Sequence, residues 1–127
     1  KILAPRMQDI SGGVAHCFTA GPAEMHAYLE LGLYIGITGW ICDERRSQDL
    51  REAVKSLPLD RVLVETDAPY LLPRDLPEKI AGRRNEPATL PHITRMLAEY
   101  MQTDPQELSA ATYRNTIKLF DLPTNQD

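Results

Sequence analysis

The sequence predicts an α/β fold built on a parallel sheet. Short apolar, β-branched runs alternate with stretches of helical period. The third run, Arg61 to Asp67, has a nearly continuous apolar start, as strands covered on both faces do. Strands separated by single helices then call for right-handed crossovers and parallel pairing.

The first strand is read over Gly13-Val14-Ala15-His16-Cys17-Phe18, between Gly12-Gly13 and Thr19-Ala20-Gly21. Pro22 suits the first helical position, where a fixed φ helps and a missing N–H costs nothing. Met25, Tyr28 and Leu29 follow on one helical face, and Gly32 stops the helix as a left-handed C′ residue. The second strand is Leu33 to Thr38, ended by Gly39. Asp43 is expected to cap a second helix with Leu50, Val54 and Leu57 as its buried stripe, closed by Pro58. The third strand runs from Arg61 to Asp67. Residues 68–84, with Pro69, Pro73, Pro77 and Gly82, read as a long irregular loop, a length usually functional or disordered. Asn85 is expected to cap a helix carrying Ile93, Met96, Leu97 and Tyr100. A capping box of Asp104 and Glu107 opens the last helix, which buries Leu108, Ala111 and Leu119. The polar tail from Pro123 to Asp127 is expected to fray.

With 127 residues, 43% of them hydrophobic, 25% charged and a net charge of −4, the chain has the composition of an ordinary globular domain. No apolar run approaches the ~20 residues that span a bilayer. No signal-peptide pattern is present, and a cytoplasmic location is expected. Two cysteines, Cys17 and Cys42, are too few for a disulfide framework and form no CxxC pair. The acidic balance argues against coating nucleic acid by bulk charge, but not against meeting it through a metal.

Ligands of parallel α/β folds bind at the carboxyl ends of strands. His16 and Asp67 both fall there. Singly, His16 reads as a core histidine and Asp67 as a turn former. Together, at one end of one sheet with a strand between them, they point to a metal site. Strand alternation puts Glu65 on the same face as Asp67, one layer below, placed to orient a ligand or a water. The competing reading of Glu65 is a buried carboxylate paired with a cation. The same alternation turns Cys17 away and makes it a small core hydrophobe.

His16-Cys17-Phe18 after Gly12-Gly13-Val14-Ala15, Tyr34 to Gly39, and Glu65-Thr66-Asp67-Ala68-Pro69-Tyr70-Leu71 together closely resemble the TatD family of metal-dependent DNases. Arg84-Asn85-Glu86-Pro87 and Asn115 to Phe120 continue the match, which covers about residues 10–122. The resemblance implies an amidohydrolase-like TIM barrel and 3′-5′ exonuclease hydrolysis of DNA phosphodiesters. The implied substrates are single-stranded DNA and its 3′ ends, with RNA ends as a further substrate. It also implies a divalent ion, Mg2+ before Mn2+ or Zn2+. By motif, His16 is a metal ligand. Asp67 binds metal and handles the proton of the attacking water, with Glu65 beside it in the catalytic group. The family also uses an His-x-His pair on its first strand, a Glu on the fourth and a His on the fifth, and none is found here. A TIM barrel takes about 250 residues and eight strands. The expectation is therefore one partial domain, residues 1–127, forming the C-terminal half of such a barrel and inactive or nearly so by itself. The chain begins at Lys1 rather than Met, which fits that expectation.

Trp40 and Tyr70 lie just past strand ends and could stack on bases, against ordinary packing over the barrel rim. Arg84 is the first of the loop and strand-end arginines, with Arg45, Arg46, Arg74 and Arg83, to consider as a phosphate donor, against a solvated surface. His26 and His92 are given no ligand role. Two other readings compete: a small-molecule hydrolase of the same barrel class, and a non-catalytic truncated domain. Open sheet edges add an expectation of self-association.

Overall fold

A computed structural model describes residues 2–78 and 81–124. Three strands, β1 (Val14–Ala15), β2 (Tyr34–Ile37) and β3 (Val62–Val64), form one parallel sheet in the order β1-β2-β3. Val14 lies beside Tyr34, and Ile35 beside Val62. Every residue of β2 is buried, as a central parallel strand requires. Four α-helices surround the sheet: α1 (Pro22–Glu30), α2 (Gln48–Val54), α3 (Leu90–Met101) and α4 (Pro105–Phe120). Helix α1 packs on β2, α4 on β3, and α2 against both α1 and α3. Met25, Ile35, Ile37, Leu50, Ile93, Leu97 and Leu108 form the centre of the core. No helix among the described residues is long and apolar enough to cross a membrane.

Local rules account for most of these boundaries. Pro22 opens α1, and Gly32 follows it at φ +76°. Met25 is fully buried, whereas Tyr28 stays 40% exposed and meets Phe18 edge-on, with ring centroids 6.1 Å apart. Asp104 caps α4, its carboxylate accepting the N–H groups of Gln106 and Glu107 at 2.8 and 3.1 Å. Glu107 does not complete a capping box; its carboxylate accepts the Thr103 hydroxyl at 3.2 Å. Asn115 is buried and donates to the carbonyls of Leu59 and Val62, each at 2.8 Å, tying α4 to the start of β3. Leu119 is half-buried rather than in the core.

Two expected caps are corrected. Asp43 does not open α2. A 3₁₀ turn over Gly39–Cys42 follows β2, and Asp43 closes that turn while α2 starts after Ser47. Asn85 does not cap α3; a separate 3₁₀ turn, Pro87–Thr89, leads into it. Another 3₁₀ helix, Ala4–Asp9, lies exposed ahead of β1. Residues 125–127 of the expected frayed tail, and 79–80 of the long loop, lie outside the described residues.

Candidate metal centre

The strands are shorter than their apolar runs, and this shapes the site. Strand β1 ends at Ala15, so His16 is the first residue beyond it. Strand β3 ends at Val64, and the Glu65 N–H still bonds the Ile37 carbonyl at 2.8 Å. Asp67 then adopts φ +57°. Glu65 and Asp67 therefore do not share a face through strand alternation. They converge because the chain turns over at the end of the sheet. Glu65 Oε2 lies 2.8 Å from His16 Nδ1, and Asp67 Oδ1 lies 3.3 Å from Nε2. The imidazole is 59% exposed, Asp67 34% and Glu65 19%, so Glu65 is the deeper carboxylate.

Cys17 is corrected from core hydrophobe to part of the wall of this site. Its φ of +50° breaks the extended path, and its side chain is half-buried. Its N–H donates to Glu65 Oε2 at 3.0 Å, and its Sγ lies 3.6 Å from the Thr38 hydroxyl. Burial holds its thiol above the ordinary value; the Thr38 hydroxyl opposes this, and the Asp67 and Glu65 carboxylates add to it. Phe18, one residue on, is the core member.

Two glycines make room for the carboxylates and their loop. A Cβ on Gly36 would collide with the Glu65 carboxylate. A Cβ on Gly39 would collide with the Leu71 carbonyl and press on the Pro73 ring at 3.2 Å. The central strand thus carries Gly36 where Glu65 folds across it, and Gly39 where the loop after β3 lies down.

Asn85 is a positioning residue that sequence reasoning took for a helix cap. It is 2% exposed, and its amide donates to the carbonyls of Thr66 and Tyr70 at 2.8 and 2.6 Å. Its side-chain oxygen accepts from the Glu86 N–H at 2.9 Å and the Thr89 hydroxyl at 2.8 Å. Its own N–H donates to Pro69 at 3.1 Å. One side chain therefore clasps the turn that presents Asp67. The sequence offered no such signal, because all but one of its partners, the Thr89 hydroxyl, are backbone groups.

Arg84 is exposed and, with Ala68, Pro69, Asn85, Glu86 and Pro87, lines a cleft of about 340 Å³. Tyr70 is 73% exposed. Trp40 is half-buried, and the Arg46 guanidinium covers one face of its ring at 4.4 Å. Arg45 and Arg46 are not free phosphate donors: both ion-pair with the buried Asp43, at 3.4 and 2.8 Å, and Arg74 reaches it at 4.0 Å. Burial works against ionising Asp43. The hydrogen bonds from Arg46 and from the backbone and side chain of Arg45 outweigh it and hold the carboxyl down at about 2.

His16 Nε2 and Asp67 Oδ1 are the atoms that would hold a divalent ion. Glu65 fixes the imidazole through its other nitrogen, as residues that brace a metal-binding histidine do. One imidazole with hard carboxylate oxygens suits Mg2+, Mn2+ or Zn2+, so the residues present fit such an ion.

Parallel strands with an imidazole and two carboxylates at their carboxyl end define a segment of an amidohydrolase-like α/β barrel. The fold is that of solved TatD proteins. A TatD homologue from Escherichia coli matches with a TM-score of 0.77 and 31% identity, over 87% of this chain and 41% of its own. A TatD-family hydrolase from Entamoeba histolytica matches with a TM-score of 0.76 and 27% identity, over 85% and 42%. The family model of TatD-related DNases matches residues 1–121, and the chain belongs to that family. Curated relatives include the 3′-5′ ssDNA/RNA exonuclease TatD of Citrobacter rodentium, 55% identical over 121 residues, covering 95% of this chain and 46% of the relative. That of Klebsiella pneumoniae is 51% identical over 124 residues, covering 98% and 47%. The chain spans about half the length of the curated relatives it matches.

Proposed function

We propose that this chain, residues 1–127, supplies the C-terminal part of the active centre of a cytoplasmic, metal-dependent 3′-5′ exonuclease acting on single-stranded DNA or RNA ends. The observation that carries the reading is the His16 imidazole held between two carboxylates at the end of a parallel sheet. His16 and Asp67 are the metal ligands, with Mg2+ as the ion. Bound there, a divalent ion lowers the pKa of a coordinated water and offsets charge on the phosphate. Asp67 accepts the proton of the attacking water. Glu65 keeps the imidazole in its orientation. Arg84, at the open cleft beside the Asp67 turn, donates to a backbone phosphate, and Tyr70 offers an exposed ring to a base. Trp40, packed against the core with Arg46 over its ring, is left to ordinary packing. The polar, open cleft favours a nucleic acid over the small-molecule substrate of a closed apolar pocket.

One imidazole and one or two carboxylates are few donors for a tightly held catalytic ion, so the chain by itself is expected to be inactive or nearly so. The test is Mg2+-dependent shortening of a 5′-labelled single-stranded oligonucleotide by this chain and by the complete Citrobacter relative. The relative should degrade it, and should lose at least ~100-fold in rate when the residues matching His16 and Asp67 are replaced by Ala and Asn. Equal activity of chain and relative would overturn the partial-barrel reading. Unchanged activity in the substituted relative would overturn the ligand assignment.

A further inference from the structure

We propose that Cys42, Asp75 and His92 form a second metal site that takes a borderline transition-metal ion of the Zn2+ type. The proposal stands independently of the reading of the His16 centre. The three residues come from separate segments. Cys42 ends the 3₁₀ turn after β2, Asp75 lies in the proline-rich loop, and His92 is in the first turn of α3. One donor atom from each lies within 4.8 Å of the other two. Donors around one tetrahedral ion at about 2.0–2.3 Å are separated by somewhat less, so small side-chain shifts suffice to close on it.

The chemistry of the set selects the ion. A thiol, an imidazole and a carboxylate together suit Zn2+ and its neighbours, whereas Mg2+ avoids sulfur. Three protein ligands also leave a fourth position. Two of the three, Cys42 and Asp75, also line a cavity of about 340 Å³ with Glu44, Arg51, Arg74, Met96 and Tyr100. Two guanidinium groups face this cavity, and both are engaged elsewhere. Arg51 donates to the Ile41 carbonyl at 3.1 and 3.2 Å and lies 4.5 Å over the Tyr100 ring. Arg74 reaches toward Asp43.

Without an ion the same residues are already gathered. His92 Nε2 lies 2.7 Å from Asp75 Oδ1, and the buried Cys42 sulfur lies within 4.8 Å of both donor atoms. Burial first, and then the Asp75 charge, hold that thiol far above its ordinary value, with only Arg51 opposing. It is thus not an activated nucleophile. A metal ion can replace the thiol proton, and each ion bound then releases that proton to solvent. The His92–Asp75 contact holds two of the three donors beside the thiol until it does.

The test is a Co2+ titration of the full chain, reading the thiolate-to-cobalt charge-transfer absorption. A band saturating at one equivalent is expected. It should persist in Cys17→Ser and in His16→Ala, and vanish in Cys42→Ser. His92→Gln, which leaves the buried thiol in place, should weaken Co2+ binding at least about 10-fold, the scale on which even a residue bracing a ligand acts. Absence of the band in the folded wild-type chain would overturn the proposal and leave a hydrogen-bonded strut. So would a band that survives Cys42→Ser or is lost in Cys17→Ser, or Co2+ affinity unchanged in His92→Gln.

Discussion

The Glu65 carboxylate occupies the space over Gly36 that any side chain on that residue would need. The central strand and the deeper carboxylate of the site are thereby coupled. Gly36→Ala forces one or the other to move, and overpacking of this kind costs about 1–3 kcal/mol. Glu65→Ala removes the obstacle. Urea denaturation of the double-mutant cycle should show the two changes strongly non-additive, by ~0.5–3 kcal/mol, with the alanine at 36 better tolerated when 65 is also alanine. Additive effects would mean the two residues do not share this space.

Asn85 is expected to matter for stability more than a loop residue usually does. Asn85→Ala leaves the Thr66 and Tyr70 carbonyls and the Thr89 hydroxyl short of partners in a buried place. A loss of about 2–4 kcal/mol is expected. Asn85→Asp keeps the size but turns an acceptor toward two carbonyls, and should be at least as damaging. Denaturant midpoints within the range of ordinary surface changes would remove the clasp from the account of the site.

Asp43 makes a pH prediction. Its folded-state pKa of about 2 lies below the unfolded value of 3.8, so the folded state prefers the charged form. The stabilisation is therefore fully present above about pH 4 and lost as pH falls through 2. The stability difference between wild type and Asp43→Asn should be constant from neutral pH to about 4 and shrink below it. A difference that stays flat to pH 2 would contradict the assignment of this carboxylate's low pKa to Arg45 and Arg46.

Mn2+ offers a direct probe of the His16 centre. Its paramagnetism should broaden the imidazole resonances of His16 at concentrations that leave the exposed His26 sharp. Asp67→Asn should abolish the selectivity, and Glu65→Gln should reduce it by about 10–100-fold in affinity, the range for a residue that orients a ligand. Equal broadening of both histidines in the wild-type chain would count against a site at His16.

The described sheet ends on β1 and β3; no strand pairs with the outer edge of either among the described residues, although Asn115 of α4 already bonds the Val62 carbonyl on the β3 side. Concentration-dependent self-association is expected in sedimentation. A monomer across the accessible concentration range would show that these edges are protected.

The sequence by itself determined the order of elements, the parallel sheet and the family. Apolar periodicity, Pro22, Gly32 and Asp104 act through neighbours within a turn or two, and local rules read them correctly. It also picked out His16, Glu65 and Asp67. The tertiary structure alone decided how these three meet. Both flanking strands stop early, and Cys17 and Asp67 enter the left-handed region, so the side chains converge by a turn that no alternation rule contains. The same limit hid Asn85, whose amide finds carbonyls brought in by the fold, and Asp43, whose arginines gather on it rather than on a helix. It hid His92 too, which finds Asp75 and Cys42 across long stretches of chain. Short-range preferences set where a chain bends. Which buried polar group meets which is settled only by packing distant segments, because each must find its partner once water is gone.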